Sequence, residues 1–185
     1  METRTAAALA GLSRGAERGY IGEPVSQLEH ALQCAARARD AHAPVSEVLA
    51  ALFHDIGHLI APAGTAEMDG LGILDHEAIG AAWLAELGFD AQVCTLVASH
   101  VAAKRYLALR KPGYWERLSE ASRGTLRFQG GKMSESEARA FEDDPLFEAK
   151  IRLRMWDEQA KEPERKVPAL ERYTGLIRQH LEQKR

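Results

Sequence analysis

The chain has 185 residues, 45% of them hydrophobic and 28% charged, which is ample to bury a core without disulfides and describes one globular domain over residues 1–185. No apolar run reaches membrane-spanning length, so a soluble protein is expected. A formal net charge of -3 gives no general attraction to nucleic acid or to anionic membranes, and an anionic ligand has to be held by a few placed cations.

Apolar residues recur at three- and four-residue intervals almost throughout, and period-two runs of β-branched residues are absent, so the predicted fold is all-α. Residues 3–16 form the first predicted helix. The segment GYIGEPVS at 19–26 is a break made by Gly22 and Pro24, carrying Tyr20 and Glu23, and a second helix follows over about 26–40. SEVLAALFHDIGH at 46–58 reads as one helix ending near Gly57, followed by a Gly/Pro/Ala-rich loop over 60–72. LDHEAIGAAWLAELG at 74–88 is a helix stopped by Gly88, and 90–110 is another. Residues 111–131 mix short helices with loop, 134–161 read as two helices broken near Asp144-Pro145, and 167–184 form a terminal helix. Cys34 and Cys94 lie inside predicted helices without CxxC spacing, and the first residues lack the pattern of a signal peptide, so the cytoplasm is the expected location.

His54-Asp55, with His58 one turn later, is the strongest local signal. On a continuous helix positions four apart share a face, so His54 and His58 would point into one cavity with Asp55 rotated by about 100°. A helix-end aspartate beside a surface histidine is the plain alternative for this pair alone. The series His30, His54, Asp55, His76, His100 and Asp157 points further, because each member falls on a predicted helix or at its end. His42 and His180 read as surface residues. Neutral imidazoles and carboxylates suit iron, manganese or zinc, and helical bundles hold dinuclear sites built this way. Asp55 is the natural carboxylate for two cations to share.

The order H…HD…D at 30, 54/55 and 157 resembles the HD superfamily, and the additional His76 and His100 resemble its two-metal members. That resemblance implies a helical bundle with one metal held by His30, His54, Asp55 and Asp157, the other by Asp55, His76 and His100. Most HD proteins are phosphohydrolases, in which a metal-activated water attacks a phosphate ester, so hydrolysis of a nucleotide or phosphomonoester is one reading. Further motifs point elsewhere: Tyr20-Ile21-Gly22-Glu23, SQLEHALQCA at 26–35, HVAAKRY at 100–106, SEASRGTLRFQGG at 119–131, and IRLRMWDE at 151–158 followed by KVP. Together, over nearly the whole chain, they resemble the phosphonate-degrading HD oxygenases of the PhnZ type. That group is similar to myo-inositol oxygenase in using two iron ions, a mixed-valent Fe(II)/Fe(III) pair, with dioxygen as co-substrate. Its members oxidise 2-amino-1-hydroxyethylphosphonate to glycine and phosphate, or the trimethylammonio analogue to glycine betaine and phosphate.

Each further motif residue then acquires an expected task beside a plain one. Lys104, four residues after His100, would set a point cation beside the second metal for a phosphonate oxygen, or else be a solvated lysine. Arg154, three residues before Asp157, faces the site or belongs to an amphipathic face. Ser122, Thr125 and Gln129 offer polar donors to phosphonate oxygens, with helix capping the alternative for Ser122. His58 would donate a hydrogen bond to the phosphonate, or be a satisfied core histidine.

The resemblance implies that Tyr20 ligates the second iron until substrate enters, and that Glu23 accepts the substrate's amino group; packing on the first helix is the alternative for Tyr20. Gly22 and Pro24 suit a loop that hinges. A primary ammonium needs an acceptor such as Glu23, and a quaternary one needs an aromatic cage. Glu23 favours the primary amine, while Tyr106, Tyr114 and Trp115 leave the cage open. A non-catalytic metal-binding module is a third reading, against which the cationic and hydroxyl residues around the ligands speak.

Overall fold

Every strongly periodic segment is a helix in the computed structural model, which describes residues 2–20 and 22–183. Ile21 of the motif at 20–23, and Lys184 at the end of the terminal segment, lie outside the described residues. The helices are α1 (Glu2–Ser13), α2 (Gln27–Asp40), α3 (Val45–Phe53), α4 (Gly57–Ile60), α5 (His76–Leu87), α6 (Ala91–Arg110), α7 (Tyr114–Arg117), α8 (Glu120–Phe128), α9 (Glu135–Glu142), α10 (Phe147–Gln159) and α11 (Thr174–Glu182). Among the described residues the only β pairing is two isolated bridges, Gly19 with Ser26 and Glu67 with Ile73. No helix among them is long and apolar enough to cross a membrane.

Local chemistry sets most of these boundaries. Ser26 and Glu29 form a reciprocal capping box at the start of α2, and Ser134 and Glu137 form another at α9. Asp90 caps α6 by accepting the Val93 N–H at 2.7 Å. Gly88 closes α5 in a left-handed conformation, φ 90°, that an L residue adopts at a cost.

Packing is organised around α3, whose sequence VSEVLAALF is apolar on nearly all sides and is buried from Ser46 to Phe53. Its neighbours are α2, α6 and α10, and α5 packs along α6. Leu49, Phe53, Leu84, Leu96, Leu153 and Ile177 are almost fully excluded from solvent and form the centre of the core. Glu47, buried on α3, is matched by a two-pronged ion pair from Arg152 of α10 at 2.7 and 3.0 Å.

Two expectations fail here. The segment 46–58 is not one helix: α3 stops at Phe53, and the chain tightens through 54–56 before α4 begins at Gly57. Ile56 N–H bonds to Phe53 O and His58 N–H to Asp55 O, both at 3.0 Å and both one residue shorter than α-helical bonding. The turn therefore re-aims Asp55 and His58 away from the directions a continuous helix would give them. His180 is not on the surface either: it is 8% exposed and its Nε2 accepts the Asp90 N–H at 3.2 Å.

Candidate metal centre and anion pocket

Four imidazoles and two carboxylates converge where α2, the 54–56 turn, α5, α6 and α10 meet. Each imidazole is aimed by its own helix framework through Nδ1, which donates to a backbone carbonyl: His30 to Ala160 at 2.8 Å, His54 to Ala51 at 2.9 Å, His76 to Ile73 at 3.2 Å and His100 to Val97 at 2.8 Å. With that proton on Nδ1, the neutral ring presents its Nε2 lone pair to the interior.

These lone pairs face one another in twos. His30 Nε2 lies 3.0 Å from His54 Nε2, and His76 Nε2 lies 3.0 Å from His100 Nε2. Two lone pairs at that distance repel unless a proton or a shared cation sits with them. Asp55 stands between the two couples: its Oδ2 is 3.3 Å from His54 and 3.6 Å from His30, and its Oδ1 is 3.3 Å from His76 and 3.4 Å from His100. Asp157 Oδ1 completes the first group, 3.3 Å from His30 and 3.7 Å from His54, and is a buried oxygen with no hydrogen-bond partner. Such an orphan carboxylate oxygen, beside converging imidazole nitrogens, fits a cation.

The electrostatics agree. Burial opposes charge on Asp55 and Asp157, yet His54 beside Asp55 and Arg154 beside Asp157 hold both carboxyls well below the usual range. Burial likewise disfavours a charged His54, but the Asp55 carboxylate outweighs it and lifts that imidazole well above its ordinary value. The field at the cage therefore favours positive charge. A metal entering there displaces that proton, so its affinity weakens as pH falls.

His58 also reaches this cage, and Asp55, His58 and His76 lie close enough to share an ion. Its chemistry argues for another role. The ring stacks on His76 at 3.9 Å, and its Nδ1 accepts the Ile73 N–H at 3.1 Å, so the ring proton sits on Nε2. Burial, with His76 next to it, lowers this imidazole to about 3. His58 is thus a neutral ring with an N–H donor on Nε2.

Above the cage is a cleft lined by Tyr20, Asp55, His58, His76, His100, Lys104, Ser122, Thr125, Gln129, Arg154 and Asp157. His30 and His54 lie beneath it, each 0% exposed. Lys104 is buried and donates to Thr125 Oγ1 at 2.9 Å; burial and then the nearby Arg154 lower its ammonium to about 7. Arg154 is a core residue: it pairs with Asp157, and its Nε donates to Glu158 at 3.0 Å and to the Tyr114 hydroxyl at 3.1 Å. Its Nη2 is buried without a partner. Ser122 does not cap α8, since that task falls to Ser119, whose Oγ accepts the Ser122 N–H at 3.2 Å.

The Tyr20 ring stacks on His30 at 3.9 Å, and burial together with the Asp55 charge raises its phenol well above its ordinary value. The turn that carries it is pinned by Tyr20 N–H to Val25 O at 2.8 Å, and Gly22, φ 71°, rests against Ala121 of α8. Glu23 is not among the cleft-lining residues: it pairs with Lys161 at 2.7 Å. Tyr106, Tyr114 and Trp115 do not line the cleft either, so among the described residues Tyr20 is its one aromatic wall.

Two polar lining residues escaped the sequence reading, Gln27 and Lys161. Both carry the signal that exposed Lys104. Gln27 precedes His30 by three positions, and Lys161 follows Asp157 by four.

Comparison with known proteins follows the same lines. The HD domain model matches residues 28–142, a span holding every candidate ligand named above except Tyr20 and Asp157. A [1-hydroxy-2-(trimethylamino)ethyl]phosphonate dioxygenase (glycine-betaine-forming) of Leisingera caerulea is 38% identical over 164 residues, 89% of this chain and 83% of its own. A hydroxymethylphosphonate dioxygenase of Gimesia maris is 38% identical over 166 residues, 89% of this chain and 82% of its own. An uncharacterised protein of Acanthamoeba polyphaga mimivirus is 42% identical over 163 residues, 88% of this chain and 74% of its own. With a family model matched over more than half of its length and relatives of this kind matched over nearly all of it, the chain belongs to the HD-domain family, in the branch that holds the HD-domain phosphonate dioxygenases.

Proposed function

We propose that this chain oxidatively cleaves the C–P bond of a small 1-hydroxyphosphonate, using dioxygen and two iron ions. The observation that carries the reading is the juxtaposition of a two-part His/Asp cage with an anion pocket, Lys104 and Arg154 Nη2, directly above it. The relatives that act on hydroxyphosphonates by their names give the substrate class.

His30, His54, Asp55 and Asp157 would hold one ion and Asp55, His76 and His100 the other, with Tyr20, which lines the cleft, a further candidate ligand. Bound there, the pair supplies electrons to dioxygen and polarises the substrate's oxygens. The chain's own residues orient and neutralise. Lys104, the free Nη2 of Arg154, the His58 N–H, Ser122 and Thr125 hold phosphonate oxygens. Gln27 and Gln129, whose buried amide oxygens lack partners, suit the C1 hydroxyl. The net conversion balances as R–CH(OH)–PO3(2−) + O2 → R–COO(−) + HPO4(2−) + H(+).

The test is turnover of a 1-hydroxyphosphonate by iron-loaded protein with and without oxygen. Phosphate release is expected only aerobically, one phosphate per dioxygen consumed. Equal release under argon, or with Mg(II) in place of iron, would overturn the oxygenase reading; the phosphohydrolase alternative predicts oxygen-independent release of phosphate from a phosphomonoester.

A second expectation concerns Lys104. Lys104→Met removes one charge-assisted contact, worth about 1.5–3 kcal/mol, so the Kd for a phosphonate measured calorimetrically without oxygen should rise about 10- to 100-fold. That loss shrinks as pH rises through about 7, where the wild-type ammonium gives up its charge in the free protein.

A further inference from the structure

Lys161 follows α10 and reaches back over the Tyr20–Glu23 turn. Its Nζ donates to Glu23 Oε1 at 2.7 Å and to Ser119 Oγ and Ser122 Oγ at 3.4 Å each, and it lies 5.6 Å from the centroid of the Tyr20 ring. The side chain is 16% exposed, and its ion-pair partner Glu23 is 12% exposed. A substrate ammonium beside this cleft would need a carboxylate acceptor or an aromatic face. Apart from Asp55 and Asp157, which face the cage, Glu23 and Tyr20 are those two groups among the described residues near the cleft, and both already face the Lys161 ammonium.

We propose that Lys161 is a built-in occupant of the ammonium subsite, so that this chain acts on 1-hydroxyphosphonates bearing no cationic substituent, hydroxymethylphosphonate being the smallest. The inference rests on the reading above that the cleft binds hydroxyphosphonates. A substrate ammonium would have to break a largely buried ion pair and then share the space with the displaced lysine, while Lys104 and Arg154 line the same cleft. Like charges set together in a confined site disfavour recognition. The amide oxygens of Gln27 and Gln129 carry no charge to offset this.

The remaining walls fit an uncharged substituent. Met68, Leu71, Val101 and Ala121 are apolar lining residues, suited to hydrogen or a short alkyl group on C1. With Tyr20 the one Phe, Tyr or Trp among the described lining residues, a trimethylammonium group finds no cage there. For hydroxymethylphosphonate the products are formate and phosphate: C–P and one C–H bond break, the carbon loses four electrons, and dioxygen takes them up.

The experiment is calorimetric binding of three phosphonates to the anaerobic metal-loaded protein, wild type and Lys161→Met, alongside aerobic phosphate release. The ligands are hydroxymethylphosphonate, 2-amino-1-hydroxyethylphosphonate and the trimethylammonio analogue. Wild type should bind hydroxymethylphosphonate about tenfold or more tightly than either cation. Lys161→Met, with melting temperature as the folding control, should tighten binding of the primary amine and reverse the order; Lys161→Arg should preserve the wild-type order. Tighter wild-type binding of either cationic ligand, or an unchanged ratio in Lys161→Met, overturns the inference. The expected binding order without oxygen-dependent turnover would leave the subsite assignment standing and remove the oxygenase reading instead.

Discussion

Asp55→Asn should leave a folded protein that holds at most one equivalent of metal and turns over on the order of a thousandfold more slowly than wild type. Asparagine keeps the shape of the side chain, but only its oxygen has a lone pair to offer, so it serves one half of the cage. In wild type the two carboxylate oxygens are divided between the halves, Oδ2 toward His30 and His54 and Oδ1 toward His76 and His100. The negative charge matters as much as the geometry. Two cations brought close repel, and a carboxylate between them offsets part of that repulsion. Metal content by elemental analysis, with circular dichroism as the folding control, separates this outcome from unfolding. Two equivalents retained with normal turnover would show that Asp55 is not the shared ligand.

The halves of the cage were legible in the sequence because their signals are local. His30 sits on a helix announced by its own capping box, and His76 and His100 on helices bounded by Gly88 and by the Asp90 cap. Asp157 lies on the helix that restarts after Asp144-Pro145. What the sequence hid has two physical causes. One is that a tightened turn keeps helical backbone angles: His54 has φ −56°, ψ −37° and Ile56 φ −56°, ψ −29°. Periodicity therefore runs through 46–58 unbroken while the hydrogen bonding has shifted by a residue.

The other cause is distance along the chain. The Glu23–Lys161 pair joins positions 138 residues apart, and nothing local distinguishes a carboxylate waiting for a substrate amine from one already holding a lysine. His180 is a similar case, since its burial is decided by Phe89 and Asp90 on another element. Which imidazoles and carboxylates converge was readable from residue types and spacing; how Glu23 is partnered depends on tertiary pairing.

Gly57→Ala should be among the most damaging single-methyl changes in the chain. A Cβ on Gly57 would stand 2.0 Å from the His76 carbonyl oxygen, 2.7 Å from its carbon and 2.9 Å from its Cα. These are backbone atoms, so no side-chain rotation relieves the clash. The facing position on α5 is also a glycine, Gly80, whose own Cβ would meet Ile56 at 3.0 Å and the Gly57 nitrogen at 3.2 Å. The pair of glycines lets α4 and α5 approach backbone to backbone, and that approach sets Asp55 against His76. Alanine favours a helix over glycine by about 1 kcal/mol, while forced overpacking of this severity costs about 3 kcal/mol or more. The net loss of about 2 kcal/mol or more corresponds to a fall in melting temperature of about 4–8 °C or more for a chain of this size. Because α4 must retreat from α5, the His76–His100 half of the cage should lose its ion first while the His30–His54 half keeps its own, leaving one equivalent of metal. Gly175→Ala is the matched control: an exposed glycine in α11 with nothing within 4 Å of the added methyl, where the same substitution should be neutral or slightly stabilising. Equal melting temperatures for the two variants would show that α4 and α5 do not meet as closely as His76 and Gly57 require.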